Sequence, residues 1–173
     1  AMSVEVGDAG SFMGMASVQG SVANGAKGPV IFKSGAFRET LAERAAVFPL
    51  LWQHEDSQPI GKVTLEETSE GLVAHGQITQ NDRGKEITAL LRDRVPLGLS
   101  IGFNPITAAY EKHGGTGELI RCVSKAKLKE TSIVTFPADP AATIRVVHSA
   151  VDPLVAVNVD DADDREFVSD VVN

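Results

Sequence analysis

Residues 118–136 read ELIRCVSKAKLKETSIVTF, a long run in which polar and apolar side chains alternate. The alternation predicts a β-strand, with its three lysines on a solvated face. Continued with a period of two, it places Glu130 on the opposite, apolar face together with Ser132 and Val134. An unpaired carboxylate is costly on such a face, so Glu130 should have a partner, either a basic residue across the sheet or a group with a chemical role.

The segments around this run predict further strands and two short helices. Residues 61–67 and 71–79 alternate on either side of a turn at Thr68–Gly71, as in a β-hairpin. Apolar residues recur at helical spacing in two places, and Pro96 ends the second helix. Many strands with two helices predict a mostly β fold with a few helices (α+β), as a small barrel. The other predicted strands are 29–33, 47–52, 97–103 and 106–110, and the helices are 37–46 and 82–94.

Composition excludes several classes of protein. The 173 residues carry 16 Lys and Arg against 23 Asp and Glu, a net charge of −7, which argues against nucleic acid or an anionic membrane as partner. One cysteine, Cys122, allows no disulfide framework and no Cys-rich metal cluster. We expect no cofactor. No apolar run approaches a membrane span. We expect a soluble protein of a reducing compartment.

Residue composition and charge together divide the chain into three parts. Residues 1–28 are rich in Gly, Ser, Ala and Val and predict an irregular lead-in with a strand near Met13–Gln19. Residues 29–149 form the body. Residues 150–173 hold seven acidic residues against one arginine, and this acidic tail is either a frayed end or a detachable or docking segment.

Ser100 lies in the run Gly98-Leu99-Ser100-Ile101-Gly102. On a strand, the serine shares one face with the two glycines, so bare backbone flanks its hydroxyl. A nucleophile needs this clearance because a substrate carbonyl must approach to about 3 Å. A small residue admitted for close strand packing would give the same pattern. The run also matches the G-x-S-x-G nucleophile elbow, but Asn104-Pro105 follows where the elbow requires a helix, so we reject the α/β-hydrolase fold.

His54 closes an apolar run, residues 48–54, at the edge of the predicted core. A satisfied structural histidine would also fit there. Metal binding by residues 54–56 is not expected, because three consecutive side chains do not converge on one ion. Taken together, His54, Ser100 and Glu130 supply a base, a nucleophile and a carboxylate that orients the base.

These residues lie in motifs that resemble the tailed-phage prohead protease family, which is related in fold to the herpesvirus assemblins. The motifs occur in the family's order and cover about residues 30–147. They are Ser34-Gly35-Ala36-Phe37 with Thr40-Leu41, Leu51-Trp52-Gln53-His54-Glu55, Gly61, Gly71-Leu72 with Gly76, Gly84-Lys85-Glu86, Leu99-Ser100-Ile101-Gly102-Phe103, Leu128-Lys129-Glu130-Thr131-Ser132-Ile133-Val134 and Pro137-Ala138-Asp139-Pro140-Ala141.

The resemblance implies a closed β-barrel wrapped by helices and a serine endopeptidase of capsid maturation. Position by position, His54 would be the general base, Ser100 the nucleophile and Glu130 the orienting acid, although three other acids remain available: Asp139, Glu55 and Glu118. The oxyanion hole would use backbone amides near Ser100 or in the turn at 137–142.

Family members cut scaffold, or the scaffolding segment of the capsid protein, inside the immature shell in the host cytoplasm, and often cut themselves. The resemblance therefore implies capsid or scaffold protein as partner, together with a homo-oligomer. Two rival functions stay open at this point. One is a non-catalytic assembly protein on the same fold, and the other is a small serine esterase.

Overall fold

A computed structural model describes residues 10–145, which form nine β-strands and two α-helices. This confirms the mostly β fold with a few helices. The acidic tail lies outside the described residues. The strands are β1 (Ser11–Val18), β2 (Ala23–Gly25), β3 (Gly28–Phe32), β4 (Val47–Trp52), β5 (Pro59–Thr68), β6 (Gly71–Ile78), β7 (Gly98–Lys112), β8 (Leu119–Val134) and β9 (Ile144–Arg145), and the helices are α1 (Arg38–Glu43) and α2 (Asp82–Arg92).

One curled sheet carries all nine strands. Its order is β2-β3-β8-β4-β5-β6-β1-β9, and β7 pairs with β8. An isolated bridge between Gly98 and Thr143 brings the far end of this path back to the start of β7. The predicted barrel is therefore a curled sheet that returns on itself through one bridge, and residues 10–145 form no continuous closing ladder.

Strand β8, which contains the run at 118–136, is the centre of the molecule. It pairs in parallel with β3 and β4, and antiparallel with β7. Alternate residues are buried in its first part, and from Glu130 to Val134 every residue is buried. Its side chains Leu128 and Ile133 have no exposed surface, like Leu50 of β4 and Leu99 of β7. Burying each such side chain contributes roughly 1.5–3 kcal/mol to stability.

The two strands predicted at 97–103 and 106–110 are one strand, β7, so the predicted break at Asn104-Pro105 is wrong. Pro105 lies opposite Ala126 of β8, beside a register irregularity. Proline is tolerated there because this stretch of β7 pairs with β8 alone among the described strands, and the missing N–H can face the unpaired edge.

The strand predicted near Met13–Gln19 is confirmed as β1, which pairs with β6 on one side and β9 on the other. Strand β2 pairs with β3. The described part of the lead-in thus belongs to the sheet. Among the described residues, no helix has the length and apolar character needed to cross a membrane.

Candidate active site

Three neighbouring strands, β4, β8 and β7, carry the candidate residues. In the antiparallel pair of β7 and β8, Ser100 lies opposite Ser132, and Gly102 lies opposite Glu130. Residues directly opposite each other in such a pair point to the same side of the sheet. The face predicted for Ser100 and the face predicted for Glu130 are therefore one face. Strand β4 runs along the other edge of β8 and ends two residues before His54.

A strained corner follows β4. Gln53 and His54 have φ angles of 54° and 61°, in the left-handed region that residues other than glycine rarely adopt. Strand β8 holds this corner in place. The Gln53 N–H donates to the Ile133 carbonyl at 3.0 Å, and the Gln53 side-chain amide donates to Thr135 Oγ1 at 2.8 Å. The corner turns the His54 side chain back toward Glu130.

The imidazole and the carboxylate form a hydrogen bond. His54 Nδ1 lies 2.8 Å from Glu130 Oε1, and Ser132 Oγ donates to Glu130 Oε2 at 2.5 Å. The Glu130 side chain is 8% exposed and the His54 side chain 42%. The partner expected for Glu130 is therefore a histidine with a serine, and no basic residue across the sheet. Because Nδ1 is held by the carboxylate as a donor, Nε2 is left to accept a proton.

The two glycines around Ser100 make room for their neighbours. A Cβ atom on Gly102 would overlap Glu130 Oε1. One on Gly98 would lie 2.7 Å from Pro137 Cγ and 2.9 Å from the Ala142 carbonyl oxygen. Ser100 lies inside a 15-residue strand, which agrees with the rejection of a nucleophile elbow.

Ser100 and His54 line the same cleft, which has a volume of about 450 Å³. Ser100 is 5% exposed, and within residues 10–145 its hydroxyl makes no side-chain hydrogen bond. It is therefore available to a molecule in the cleft. The remaining lining consists of small, apolar and a few polar residues: Ala16, Ser17, Ala23, Asn24, Gly25, Ala26, Val30, Phe32, Ile101, Gly102, Phe103, Phe136, Ala138 and Asp139.

Asp139, one alternative acid, lies in the cleft wall but has other partners. Its carboxylate accepts hydrogen bonds from the Val18 N–H at 3.0 Å, the Ser21 hydroxyl at 2.6 Å and the Ala141 N–H at 3.0 Å. It therefore fastens the connection between β1 and β2. The other two alternative acids, Glu55 and Glu118, are exposed and form no hydrogen bond with His54.

In the turn at 137–142, one of the two locations expected for the oxyanion hole, two backbone amides already have acceptors. The Ala141 N–H binds the Asp139 side chain, and the Ala142 N–H binds the Asp139 carbonyl at 2.9 Å.

Cys122 does not compete with Ser100 as a nucleophile. It lies on β8, is 6% exposed and is absent from the cleft lining. Burial raises the pKa of the Cys122 thiol, which keeps it protonated at neutral pH. Within residues 10–145, no group of three or more His, Cys, Asp or Glu side chains could hold a metal ion.

The sequence missed one residue of the site, Ser132. Alternation placed it on the face of Glu130 but gave no reason to assign it a role. In the structure its hydroxyl contacts both Glu130 and the His54 backbone. The signal was its spacing, two residues from a buried carboxylate on the same strand face.

Comparisons with known proteins identify relatives of the chain. The sequence profile of the caudovirus prohead serine proteases matches residues 2–155. The capsid polyprotein of Pseudomonas phage PAJU2 is 37% identical over 109 residues, covering 58% of this chain and 16% of the polyprotein, so the chain spans about a sixth of that relative.

Solved structures of the Kaposi's sarcoma-associated herpesvirus protease are also similar. One with an allosteric inhibitor has a TM-score of 0.48 at 12% identity and covers 82% of this chain and 79% of that one. Another, with a hexapeptide phosphonate inhibitor, has a TM-score of 0.46 at 12% identity and covers 80% and 65%. Because the family profile matches most of its length, the chain belongs to the caudovirus prohead serine protease family.

Proposed function

We propose that this protein is the endopeptidase that cleaves scaffold, or the scaffolding segment of the capsid protein, during maturation of a phage prohead. His54, Ser100 and Glu130 are its catalytic residues. The observation that carries the proposal is the hydrogen bond between His54 Nδ1 and Glu130 Oε1, beside a cleft that His54 and Ser100 share.

In the proposed mechanism, each of the three residues has one step. His54 Nε2 accepts the Ser100 proton as the hydroxyl oxygen attacks the scissile carbonyl, and then gives that proton to the leaving amine. Glu130 stabilises the imidazolium that exists between these two transfers. A contact between base and nucleophile is often long in the free enzyme and tightens when substrate binds, in keeping with the unbonded Ser100 hydroxyl.

The named relative supports the choice of substrate. A capsid polyprotein that is similar to this chain over 109 residues favours a capsid or scaffold protein as the substrate here. It also favours cleavage of the protease's own chain. Such an enzyme works inside the immature shell in the host cytoplasm, where the local concentration of copies favours a homo-oligomer.

The cleft wall indicates which part of a substrate it accepts. It contains no lysine or arginine among the described residues, and three donors already bind its Asp139 carboxylate. Phe136, at the wall, is 89% exposed and would be covered by an apolar side chain of a bound peptide. The cleft therefore suits an extended segment with small or apolar side chains near the scissile bond.

In this proposal the acidic tail, residues 150–173, is a propeptide or docking segment. It holds seven acidic residues, whereas β8 presents Lys127 and Lys129 to solvent. Opposite charges of this kind would attract a tail to the body at low salt.

Two measurements separate this function from its rivals. A fluorophosphonate probe should label the wild type at Ser100 and leave Ser100→Ala unlabelled, whereas a non-catalytic assembly protein would label in neither case. Digestion of the cognate capsid protein or scaffold, compared with hydrolysis of a simple ester, separates an endopeptidase from an esterase. Ester turnover without any cut in either protein would overturn the proposal.

A further inference from the structure

Ser132 is a buried polar residue with two hydrogen bonds and no exposed surface. Its hydroxyl donates to Glu130 Oε2 at 2.5 Å and accepts the His54 N–H at 3.2 Å. The Ser132 hydroxyl thus joins the Glu130 carboxylate to the backbone of His54, whose ring binds the same carboxylate. Ser132 also lies between the two strands of the site, opposite Ser100 on β7 and beside Leu51 on β4.

The bond to Glu130 fixes the direction of the carboxylate. A short O–H to carboxylate hydrogen bond is among the stronger kinds in proteins. With Oε2 held by Ser132, Oε1 is the oxygen that faces His54 Nδ1. Without the hydroxyl, Oε2 would be a buried charged oxygen lacking a donor, and the carboxylate would gain by rotating away from the imidazole.

The bond from His54 fixes the other side of the pair. His54 has a φ of 61°, a conformation that costs on the order of 1–3 kcal/mol unless its surroundings hold it. Its N–H donates to Ser132, which anchors the strained residue itself, whereas the bonds of Gln53 anchor the residue before it.

We infer that Ser132 is a positioning residue for catalysis. Its hydroxyl holds the His54 ring and the Glu130 carboxylate in position relative to each other. The inference rests on the proposed function, since it concerns the same site. It predicts that removal of the hydroxyl slows the attack of Ser100 without unfolding the protein, because the side chain lost is one oxygen atom.

The neighbouring residue supplies a matched control. Thr131 is likewise without exposed surface, and within the described residues its hydroxyl has no hydrogen-bond partner. It points to the opposite face of β8 from Ser132. Thr131→Val therefore removes a hydroxyl that is equally buried and adjacent in sequence, but outside the network.

The experiment measures the rate at which a fluorophosphonate labels Ser100 in wild type, Ser132→Ala and Thr131→Val. A misplacement of about 1 Å costs on the order of 10²-fold, so we expect Ser132→Ala to label about 10- to 100-fold more slowly and Thr131→Val to label like wild type. Ser132→Cys, which replaces the hydroxyl with a slightly larger thiol that is a weak donor, should behave as Ser132→Ala and replaces it if the alanine variant does not fold.

A second readout uses the resting protein. With ¹⁵N-labelled histidine, the signals come from only four imidazole rings, and His54→Ala assigns those of the ring of interest. The proton on His54 Nδ1 should shift or broaden in Ser132→Ala and stay in place in Thr131→Val. Unchanged labelling and an unchanged resonance in folded Ser132→Ala would overturn the inference.

Failure of the proposed function looks different. If wild type does not label at Ser100, the endopeptidase assignment falls, while the proton resonance still decides whether Ser132 positions His54 and Glu130. If the rate falls equally in Ser132→Ala and Thr131→Val with no change in the resonance, the hydroxyl is structural and the inference is wrong.

Discussion

Two buried carboxylates lie at the same cleft with different partners. Glu130 is 6% exposed and Asp139 5%, and neither forms an ion pair with Lys or Arg in the part of the chain that the structure describes. Glu130 binds two side chains, His54 and Ser132. Asp139 binds two backbone N–H groups and the hydroxyl of Ser21.

The difference shows how partners decide the role of a buried acid. Backbone N–H groups do not release or accept a proton, so the bonds of Asp139 fix the path of the chain between β1 and β2. An imidazole changes its charge during catalysis, so the bond of Glu130 can stabilise the charged form when it appears. Burial alone would have ranked the two acids as equals.

The largest effect should come from the residue that reacts. Ser100→Ala removes the nucleophile, so we expect peptide cleavage to fall by about 10⁴- to 10⁶-fold with the melting temperature nearly unchanged. His54→Ala should do the same. Cleavage rates on capsid protein, with wild type as reference, check this. Substantial activity in either variant would contradict the triad, and Glu130 would then have no catalytic histidine to orient.

Glu130→Gln should cost less, on the order of 10²- to 10⁴-fold in turnover, because the imidazole loses its orienting charge while the nucleophile remains. The fold should survive because Gln has nearly the same shape. Steady-state cleavage and thermal melting of the same preparation check both points. Near-normal turnover would mean that another group orients His54.

The glycines of β7 sharpen the contrast further. Gly102→Ala pushes a methyl group into the Glu130 carboxylate, and we expect turnover to fall by about 10- to 100-fold as the carboxylate moves. Gly98→Ala instead meets Pro137 and the Ala142 carbonyl, so it should cost about 1–3 kcal/mol of stability. Equal loss of turnover per folded molecule in both variants would contradict a specific role for the space at Gly102.

Asp139→Asn should have the smallest effect on activity and a visible one on stability. The amide turns one acceptor into a donor that faces an N–H or a hydroxyl, which costs about 1–3 kcal/mol and several degrees of melting temperature. Turnover measured well below the melting temperature should stay close to wild type. A fully stable Asp139→Asn variant with strongly reduced turnover would mean that Asp139, and not Glu130, is the orienting acid.

Much of this site follows from alternation along two strands. A period of two placed Ser100 beside bare backbone and Glu130 on a buried face, and antiparallel pairing made these the same face. Local periodicity is enough for this because it is a property of each strand by itself.

Other features depend on contacts that no local pattern carries. The left-handed corner at His54 is held by β8, about 80 residues away in sequence. Neither Gln53 nor His54 is a residue type that predicts such a turn. The role of Ser132 depends on this corner as well. The break predicted at Pro105 was wrong because a proline is tolerated in a strand when its missing N–H faces an unpaired edge. Which edge of β7 is unpaired is a property of the whole sheet.

Glu130, and not Asp139, should orient His54, and one measurement tests this without any substrate. It is the resonance of the proton on His54 Nδ1 in ¹⁵N-histidine-labelled wild type, Glu130→Gln and Asp139→Asn. We expect a far-downfield signal in wild type and Asp139→Asn that is shifted or lost in Glu130→Gln. A signal that persists in Glu130→Gln and disappears in Asp139→Asn would contradict it.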